Sequence, residues 1–129
     1  MTKVFFDHQK FSLQKYGGIS RYFANIINTL KSAPDYDYLL GVLHSGNHYL
    51  QKNPLLPPKL AKILSAPKYA YRLNAIYCEY LLKQNAFDIF HPTYYDTYFF
   101  EKLKRPLVIT IHDMTYERLP EYFWAEDTL

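Results

Sequence analysis

Hydrophobic and polar positions along the chain follow two periods, one typical of strands and the other typical of helices. A short apolar run at 4–6 precedes two adjacent glycines, and an amphipathic segment follows them. Its apolar positions recur every three or four residues, at Ile19, Tyr22, Phe23, Ile26, Ile27 and Leu30. The pattern predicts a first strand, a loop at Gly17-Gly18 and a long helix that begins at this loop.

The rest of the chain continues this alternation. We predict strands at 36–43, 87–91 and 107–111, helices at 60–64, 68–84 and 98–104, an irregular loop at 44–58 and a helix start near Pro120-Glu121. The run at 107–111 is continuously apolar and mostly β-branched, which is typical of a strand buried on both faces. The expected apolar face of the 68–84 helix consists of Leu73, Ile76, Tyr77, Tyr80 and Leu81. The order of elements predicts an α/β fold, with a Rossmann-like parallel sheet and helices on both faces.

Composition narrows the function classes. The length of 129 residues fits one domain, and the net charge of +3 is too small and too scattered to indicate nucleic-acid binding. Five scattered histidines and one cysteine show no spacing for metal ligands, so we predict neither a metal nor a cofactor. The single cysteine, Cys78, excludes an intramolecular disulfide, and we expect it to be buried and unreactive.

The sequence shows no signal peptide and no apolar run long enough to span a membrane. A cytoplasmic location is therefore predicted. Aromatic residues make up 19% of the chain. Exposed aromatic side chains leave two further partners open, namely peripheral contact with the inner face of a membrane and self-association.

Polar clusters follow three of the predicted strands, at the end where ligands bind in open α/β sheets. The clusters comprise Asp7 and His8 with the glycine pair, then His91, Thr93, Tyr94 and Tyr95, and finally His112 and Asp113. Because the carboxyl ends of parallel strands meet at one edge of the sheet, we expect these clusters to converge. A ligand site is therefore predicted at this edge.

Each candidate residue has a functional and a structural interpretation. His112 can donate a hydrogen bond to a sugar hydroxyl or to developing charge, or it can cap a carbonyl. Asp113 can orient a ring or cap the next turn. The bare N–H groups at Gly17-Gly18 can face a phosphate, or the glycines can serve close packing. Arg21 can face an anion across the cleft or remain in solvent.

Three segments carry a resemblance to a known family. The segment Phe5-Phe6-Asp7-His8-Gln9-x-Phe11-Ser12-x-Gln14-x-Tyr16-Gly17-Gly18-Ile19-Ser20-Arg21-Tyr22 resembles the opening of bacterial GT-B glycosyltransferases. These belong to the large retaining family, family 4-like, that builds polysaccharide and lipopolysaccharide. Asp88-Ile89-Phe90-His91-Pro92-Thr93-Tyr94-Tyr95 and Thr110-Ile111-His112-Asp113-Met114 are similar to the next two landmarks, in the same order.

The resemblance implies transfer of a sugar, with retention and without a metal, from a nucleotide-sugar donor to a glycan or lipid-linked acceptor. Residues 1–129 would be the acceptor-side N-terminal domain of the GT-B fold. The donor-binding C-terminal domain would be absent, and the truncated chain would be inactive alone. The resemblance makes His112 catalytic, places Gly17, Gly18 and Arg21 near the donor phosphate, and suggests His91, Thr93, Tyr94 and Asp113 as acceptor or sugar contacts.

Two other functions remain open at this stage. The chain can be a stand-alone, non-catalytic module that binds a glycan or a nucleotide. It can also be an unrelated α/β structural or interaction domain that associates through its aromatic surface. Continuation of the coding frame beyond 129 would favour the enzyme over the stand-alone module. An interaction domain would show no response to any nucleotide sugar or glycan.

Overall fold

The structure is a computed structural model that describes residues 1–50 and 57–122. The described chain is an α/β protein. Its strands are β1 (Thr2–Phe6), β2 (Tyr36–Leu40) and β3 (Ile89–His91). Its α-helices are α1 (Gln9–Leu13), α2 (Gly18–Lys31), α3 (Pro58–Ile63), α4 (Pro67–Gln84) and α5 (Thr115–Arg118), and a 3₁₀ helix covers Pro120–Tyr122.

The three strands form a small open parallel sheet in the order β2-β1-β3. Phe5 in the central strand lies between Leu39 of β2 and Phe90 of β3. The chain therefore adds β2 on one side of β1 and β3 on the other, so the strand order reverses between β1 and β3. In open α/β sheets this reversal opens a crevice beyond the carboxyl ends of the two strands.

Alternate residues of β1 pack against different helices. Phe5 contacts a cluster that includes Cys78 and Leu81 of α4. Val4 and Phe6 belong to a second cluster, formed with residues of α2. Since neighbouring side chains of a strand point to opposite faces, the two helices cover opposite faces of the sheet. The prediction of an α/β fold with a parallel sheet and helices on both faces is confirmed.

The apolar face predicted for α2 is also largely confirmed. Phe23 and Ile27 are fully buried. Ile19, Ile26 and Leu30 pack against the same cluster and are half-buried. Tyr22, at the margin of this face, stays exposed.

The face predicted for α4 is only partly right, because Leu81 is buried and Tyr77 packs against the core while two other members are exposed. Ile76 and Tyr80 are 62% and 55% exposed, although both were expected to face the core. The buried stripe consists of Ala70, Asn74, Cys78, Leu81 and Leu82. This stripe packs against α1 and the core around Phe5, and the amide of Asn74 is paired with Ser12 and with the backbone of Leu43 and His44. Cys78 is buried as predicted, and burial raises the pKa of its thiol well above the usual range.

The prediction of a doubly buried strand at 107–111 is wrong for the described chain. Leu107 forms a single bridge with Phe90, and the N–H of Val108 donates to the carbonyl of Phe90 at 2.9 Å. Beyond this point Ile109 and Ile111 are 51% and 61% exposed. A strand is buried on both faces only where other elements cover it, and the exposure of Ile109 and Ile111 shows that this segment is not covered in that way.

Other boundaries differ by a few residues. Strand β2 ends at Leu40 and not at position 43, and the predicted helix at 98–104 is a series of turns. The helix predicted at 60–64 is α3, whereas α1 and α5 were not predicted. Part of the predicted 44–58 loop, at 51–56, lies outside the described residues. Within the described ranges, no helix has the length and apolarity needed to cross a membrane.

Candidate functional site

The carboxyl ends of β1 and β3 are joined by a buried carboxylate. Asp7 is fully buried and accepts hydrogen bonds from the N–H and hydroxyl of Thr93, both at 2.8 Å. It also accepts from Nε2 of Gln9 at 2.8 Å and from the hydroxyl of Tyr98 at 3.1 Å. A buried charge is stable only when it is hydrogen-bonded in this way. Asp7 therefore fixes the loop that follows β3 against the end of β1.

The side chain of Gln9 extends this network. Its Oε1 accepts the N–H of Asp96 at 2.9 Å, and its Nε2 donates to the carbonyl of Asp96 at 3.1 Å. Burial beside the Asp7 carboxylate raises the pKa of Tyr98 far above its usual range, so its hydroxyl stays a donor. We call Asp7, Gln9, Thr93, Asp96 and Tyr98 the closed half of the site.

His8 belongs to the interior as well. The sequence placed it in a ligand-facing cluster, but the structure buries it and pairs its Nδ1 with the hydroxyl of Ser12 at 3.0 Å. Asn74 donates to the same hydroxyl at 2.9 Å, and its Oδ1 accepts the N–H groups of Leu43 and His44. Burial lowers the pKa of His8, so its ring is neutral at neutral pH.

His112 lies at the surface of the same edge, beside the first turns of α2. Its ring meets those of Tyr22 and Phe23 edge-on, with centroids 5.3 and 5.6 Å away. Its backbone N–H donates to the hydroxyl of Tyr95 at 2.9 Å. Burial against these rings, and secondarily the charge of Lys10, lowers the pKa of His112. The imidazole is therefore neutral at neutral pH, with one ring nitrogen that donates and one that accepts.

Lys10 was missed by the sequence analysis. Its ammonium lies 3.6 Å from the ring centroid of Tyr94, which stacks on Tyr95 at 4.7 Å. Its backbone N–H donates to the hydroxyl of Thr93 at 3.1 Å. No periodicity or motif marks this residue, because it becomes notable only when α1 brings it over Tyr94. We call Lys10, Tyr22, Tyr94, Tyr95 and His112 the open half of the site.

Two predicted contact residues are less accessible than expected. His91 is buried, pairs its Nε2 with the hydroxyl of Thr110 at 2.9 Å, and packs against the rings of Phe6 and Phe23. Burial lowers its pKa. Thr93 is fully buried, with its hydroxyl and N–H engaged within the protein. These two residues position the loop after β3, whereas Tyr94 reaches the surface.

The glycine pair forms the start of α2 without unusual backbone angles. Gly17 is extended, with φ of 170°, and neither glycine adopts the left-handed region. A Cβ at Gly17 would lie 2.3 Å from Oε1 of Gln14, whereas Gly18 is open. No side chain caps the first turn. Arg21 is exposed, and its guanidinium has no partner among the described residues.

Asp113 caps the helix that follows it. Its carboxylate accepts the N–H of Thr115 at 2.8 Å and is also bonded to the hydroxyl of the same residue. These hydrogen bonds lower the pKa of Asp113. The structural interpretation of this residue is thus the one that the contacts support. Across residues 1–50 and 57–122, no group of His, Cys, Asp or Glu side chains could hold a metal ion.

A separate cavity of about 1010 Å³ lies beside β2 and α2. Its apolar walls include Phe11, Ala24, Ile27, Leu40, Val42 and Leu64, with Lys15 and Lys31 among its polar lining residues. The sequence did not predict this cavity, because its walls come from separate segments that only the fold brings together.

The described residues define an α/β protein with an open parallel sheet and a partly closed polar site where the strand order reverses. A scan against protein-family models found no match. Searches of the curated proteins and of the solved structures likewise found no match.

Proposed function

We propose that residues 1–129 form the acceptor-side domain of a retaining glycosyltransferase with the GT-B fold. The enzyme would move a sugar from a nucleotide-sugar donor to a glycan or lipid-linked acceptor. The observation that carries the proposal is the open half of the site, where the ammonium of Lys10 lies over Tyr94 and the neutral ring of His112 lies against Tyr22. This surface lies where the strand order of the sheet reverses, which is the usual position for a ligand in α/β folds.

His112 has the chemistry that sugar transfer requires. A neutral imidazole donates a hydrogen bond to a sugar hydroxyl without placing a second positive charge beside Lys10. Its exposed edge lies among Tyr22 and Tyr95, whose rings provide flat apolar surface with polar tips. Flat faces of sugar rings pack well on such surfaces. We therefore assign His112 to the reacting sugar and the tyrosines to its placement.

The start of α2 supports a second part of the proposal. Helix N-termini attract anions, and the first turn of α2 carries no capping side chain. The nearby guanidinium of Arg21 is exposed and available. The resemblance places Gly17, Gly18 and Arg21 near the donor phosphates. We propose that turnover also requires the second α/β domain that the resemblance implies, because that domain binds most of the donor.

Sugar binding by residues 1–129 provides the direct test. The isotopically labelled protein would be titrated with a panel of oligosaccharides and nucleotide sugars, and amide shifts would be followed by NMR. We expect shifts concentrated at Tyr22, Tyr95 and His112, and about tenfold weaker binding after His112→Ala, the loss of one good hydrogen bond in a site. His48→Ala is the matched control. His48 also contacts two tyrosine rings, but it is exposed and lies outside the open half of the site.

Transfer activity of the native gene product separates an enzyme from a binding module. His112→Ala should lower turnover by about 100-fold, the usual effect of removing one donor from a transition state. The free energy of unfolding should change by less than about 1 kcal/mol, because the side chain lies at the surface. Sugar binding without any transfer would identify a non-catalytic module. A stability loss large enough to explain the activity loss would contradict the role of His112.

A further inference from the structure

Lys10 forms no ion pair with any residue in the described ranges 1–50 and 57–122. Its ammonium lies over the ring of Tyr94, and partial burial lowers its pKa. The two ion pairs of the described chain involve other lysines, Lys3 with Asp37 and Lys102 with Glu79. Removing water from an ammonium without supplying an anion costs free energy. A ligand that brings an anion to this position would recover that cost.

The position of Lys10 is fixed by the closed half of the site. Its backbone N–H donates to Thr93, and Thr93 is in turn bonded to the buried carboxylate of Asp7. Tyr94, which supports the side chain, stacks on Tyr95. The ammonium is therefore held by the fold at the exposed edge, and a ligand group that pairs with it loses little additional freedom.

Lys10 and His112 form one recognition surface. Contacts link the two residues: the ammonium of Lys10 lies over Tyr94, Tyr94 stacks on Tyr95, and the hydroxyl of Tyr95 accepts the N–H of His112. The ring of His112 also meets the rings of Tyr22 and Phe23, and among the described residues no carboxylate forms an ion pair with it. A ligand with an anionic group next to a hydroxyl-bearing ring matches this arrangement. Phosphate esters of sugars have this chemistry.

We propose that Lys10 is an anion-binding residue that pairs with a phosphate or diphosphate group of the ligand whose sugar contacts His112. The sugar part of this inference rests on the proposed function. The phosphate part rests only on the geometry of Lys10. Two sources of such a group fit equally, a nucleoside diphosphate and a phosphorylated lipid-linked acceptor.

Inorganic pyrophosphate is the probe that tests Lys10 alone. Binding to residues 1–129 would be followed through the ring resonances of His112 and Tyr94 in the wild type, Lys10→Gln, Lys10→Arg and Lys15→Gln. We expect Lys10→Gln to weaken pyrophosphate binding about tenfold, because it removes a hydrogen bond between charged groups. We expect Lys10→Arg to retain pyrophosphate binding. Lys15→Gln should bind like the wild type. Lys15 is the matched control because its ammonium also lies over a tyrosine ring, that of Tyr16.

A second readout reports the proximity of the two side chains. Lys10→Gln should raise the apparent pKa of His112, because the positive charge that opposes protonation is removed. Pyrophosphate should raise it in the wild type and have a much smaller effect in Lys10→Gln. Absence of pyrophosphate binding by the wild type, equal binding by Lys10→Gln, or an equal loss in Lys15→Gln would each overturn the proposal.

Two further titrations identify the source of the phosphate. A nucleoside diphosphate and a ten-carbon prenyl phosphate would be compared in the wild type and in Lys10→Gln. A Lys10-dependent preference for one of them assigns the residue to the donor or to the lipid-linked acceptor. Pyrophosphate binding that depends on Lys10, without any response to oligosaccharides, would refute the proposed acceptor-side function and leave the anion site intact. Sugar binding without pyrophosphate binding would refute the anion site at Lys10 and leave the proposed function intact.

Discussion

The two halves of the site differ in how their polar groups are satisfied. In the closed half, the carboxylate of Asp7 and the amide of Gln9 find partners inside the protein. In the open half, the ammonium of Lys10 lies over a ring, and the imidazole of His112 contacts only rings through its side chain. Lys10, Tyr94 and Tyr95 of the open half follow the same two strands as the closed half, so position after a strand does not explain the difference.

This difference separates residues that shape the site from residues that are free to bind. A polar group whose hydrogen bonds are already complete gains little free energy from binding a ligand. An unpaired polar group that is partly buried gains much more. Conspicuous polar residues next to strand ends are therefore not equivalent. Asp7 and Thr93 are buried. Lys10 and His112 belong to the open half of the site, which these buried residues support.

The largest effect is expected at the centre of the closed half. Asp7→Ala should lower the free energy of unfolding by about 3 kcal/mol or more, because it leaves buried donors of Gln9, Thr93 and Tyr98 without an acceptor. Urea denaturation at pH 7 would measure this change. Asp35→Ala is the control, since Asp35 is exposed, and it should change stability by less than about 0.5 kcal/mol. Equal effects of the two substitutions would remove the distinction between the halves.

The second prediction concerns acid, because burial lowers the pKa of His8 and of His91 below the ordinary value of 6.5. The unfolded chain binds these protons near pH 6.5, and the folded chain binds them only at lower pH. Stability is therefore complete above pH 6.5 and falls as the pH drops below it, by about 1 kcal/mol per pH unit for each histidine. Urea denaturation at several values between pH 7.5 and 5 would measure the slope.

His8→Asn should reduce this acid slope, since it removes one buried proton acceptor and keeps a polar group beside Ser12. His48→Asn is the control, because His48 is exposed, and it should leave the slope unchanged. An unchanged slope in His8→Asn would show that the interior around His8 does not exclude protons in the way that its burial implies.

The sequence predicted the architecture better than it predicted the site. Amphipathic periodicity located α2 and α4, and the order of elements gave a parallel sheet. The face of α4 was partly misjudged, because large apolar residues such as Ile76 were preferred over Asn74, whose burial depends on partners from distant segments. The burial of 107–111 was misjudged because apolar composition does not reveal whether a helix covers a strand.

Within the candidate site, proximity to a strand end indicated which residues lie at this edge of the sheet, but not which of them are buried. His112 and Tyr94 lie at the surface as expected, whereas Thr93 and His91 are buried. Lys10 had no sequence signal, because its significance comes from a ring that lies 84 positions further along the chain. Contacts between distant segments decide which polar group is satisfied, and local patterns contain little information about them.

A smaller effect distinguishes the two glycines at the start of α2. Gly17→Ala should cost about 1 kcal/mol, because the new Cβ displaces the amide of Gln14. Gly18→Ala meets open space and should stabilise the helix by up to about 0.5 kcal/mol. Thermal denaturation of both variants would measure the difference. The Gln14→Ala background should remove the penalty at Gly17, and a penalty that persists there would contradict this packing explanation.

The smallest stability effect is expected where the functional effect should be large. Lys10→Gln should change the free energy of unfolding by less than about 0.5 kcal/mol, because the ammonium lies partly in solvent and its contact with Tyr94 is offset by the cost of its own desolvation. Urea denaturation of Lys10→Gln and Asp7→Ala under the same conditions would allow the two changes in the free energy of unfolding to be compared. A loss at Lys10 as large as that at Asp7 would mean that the lysine supports the fold. A loss near zero, together with weakened pyrophosphate binding, would mean that the charge is held in place for a ligand.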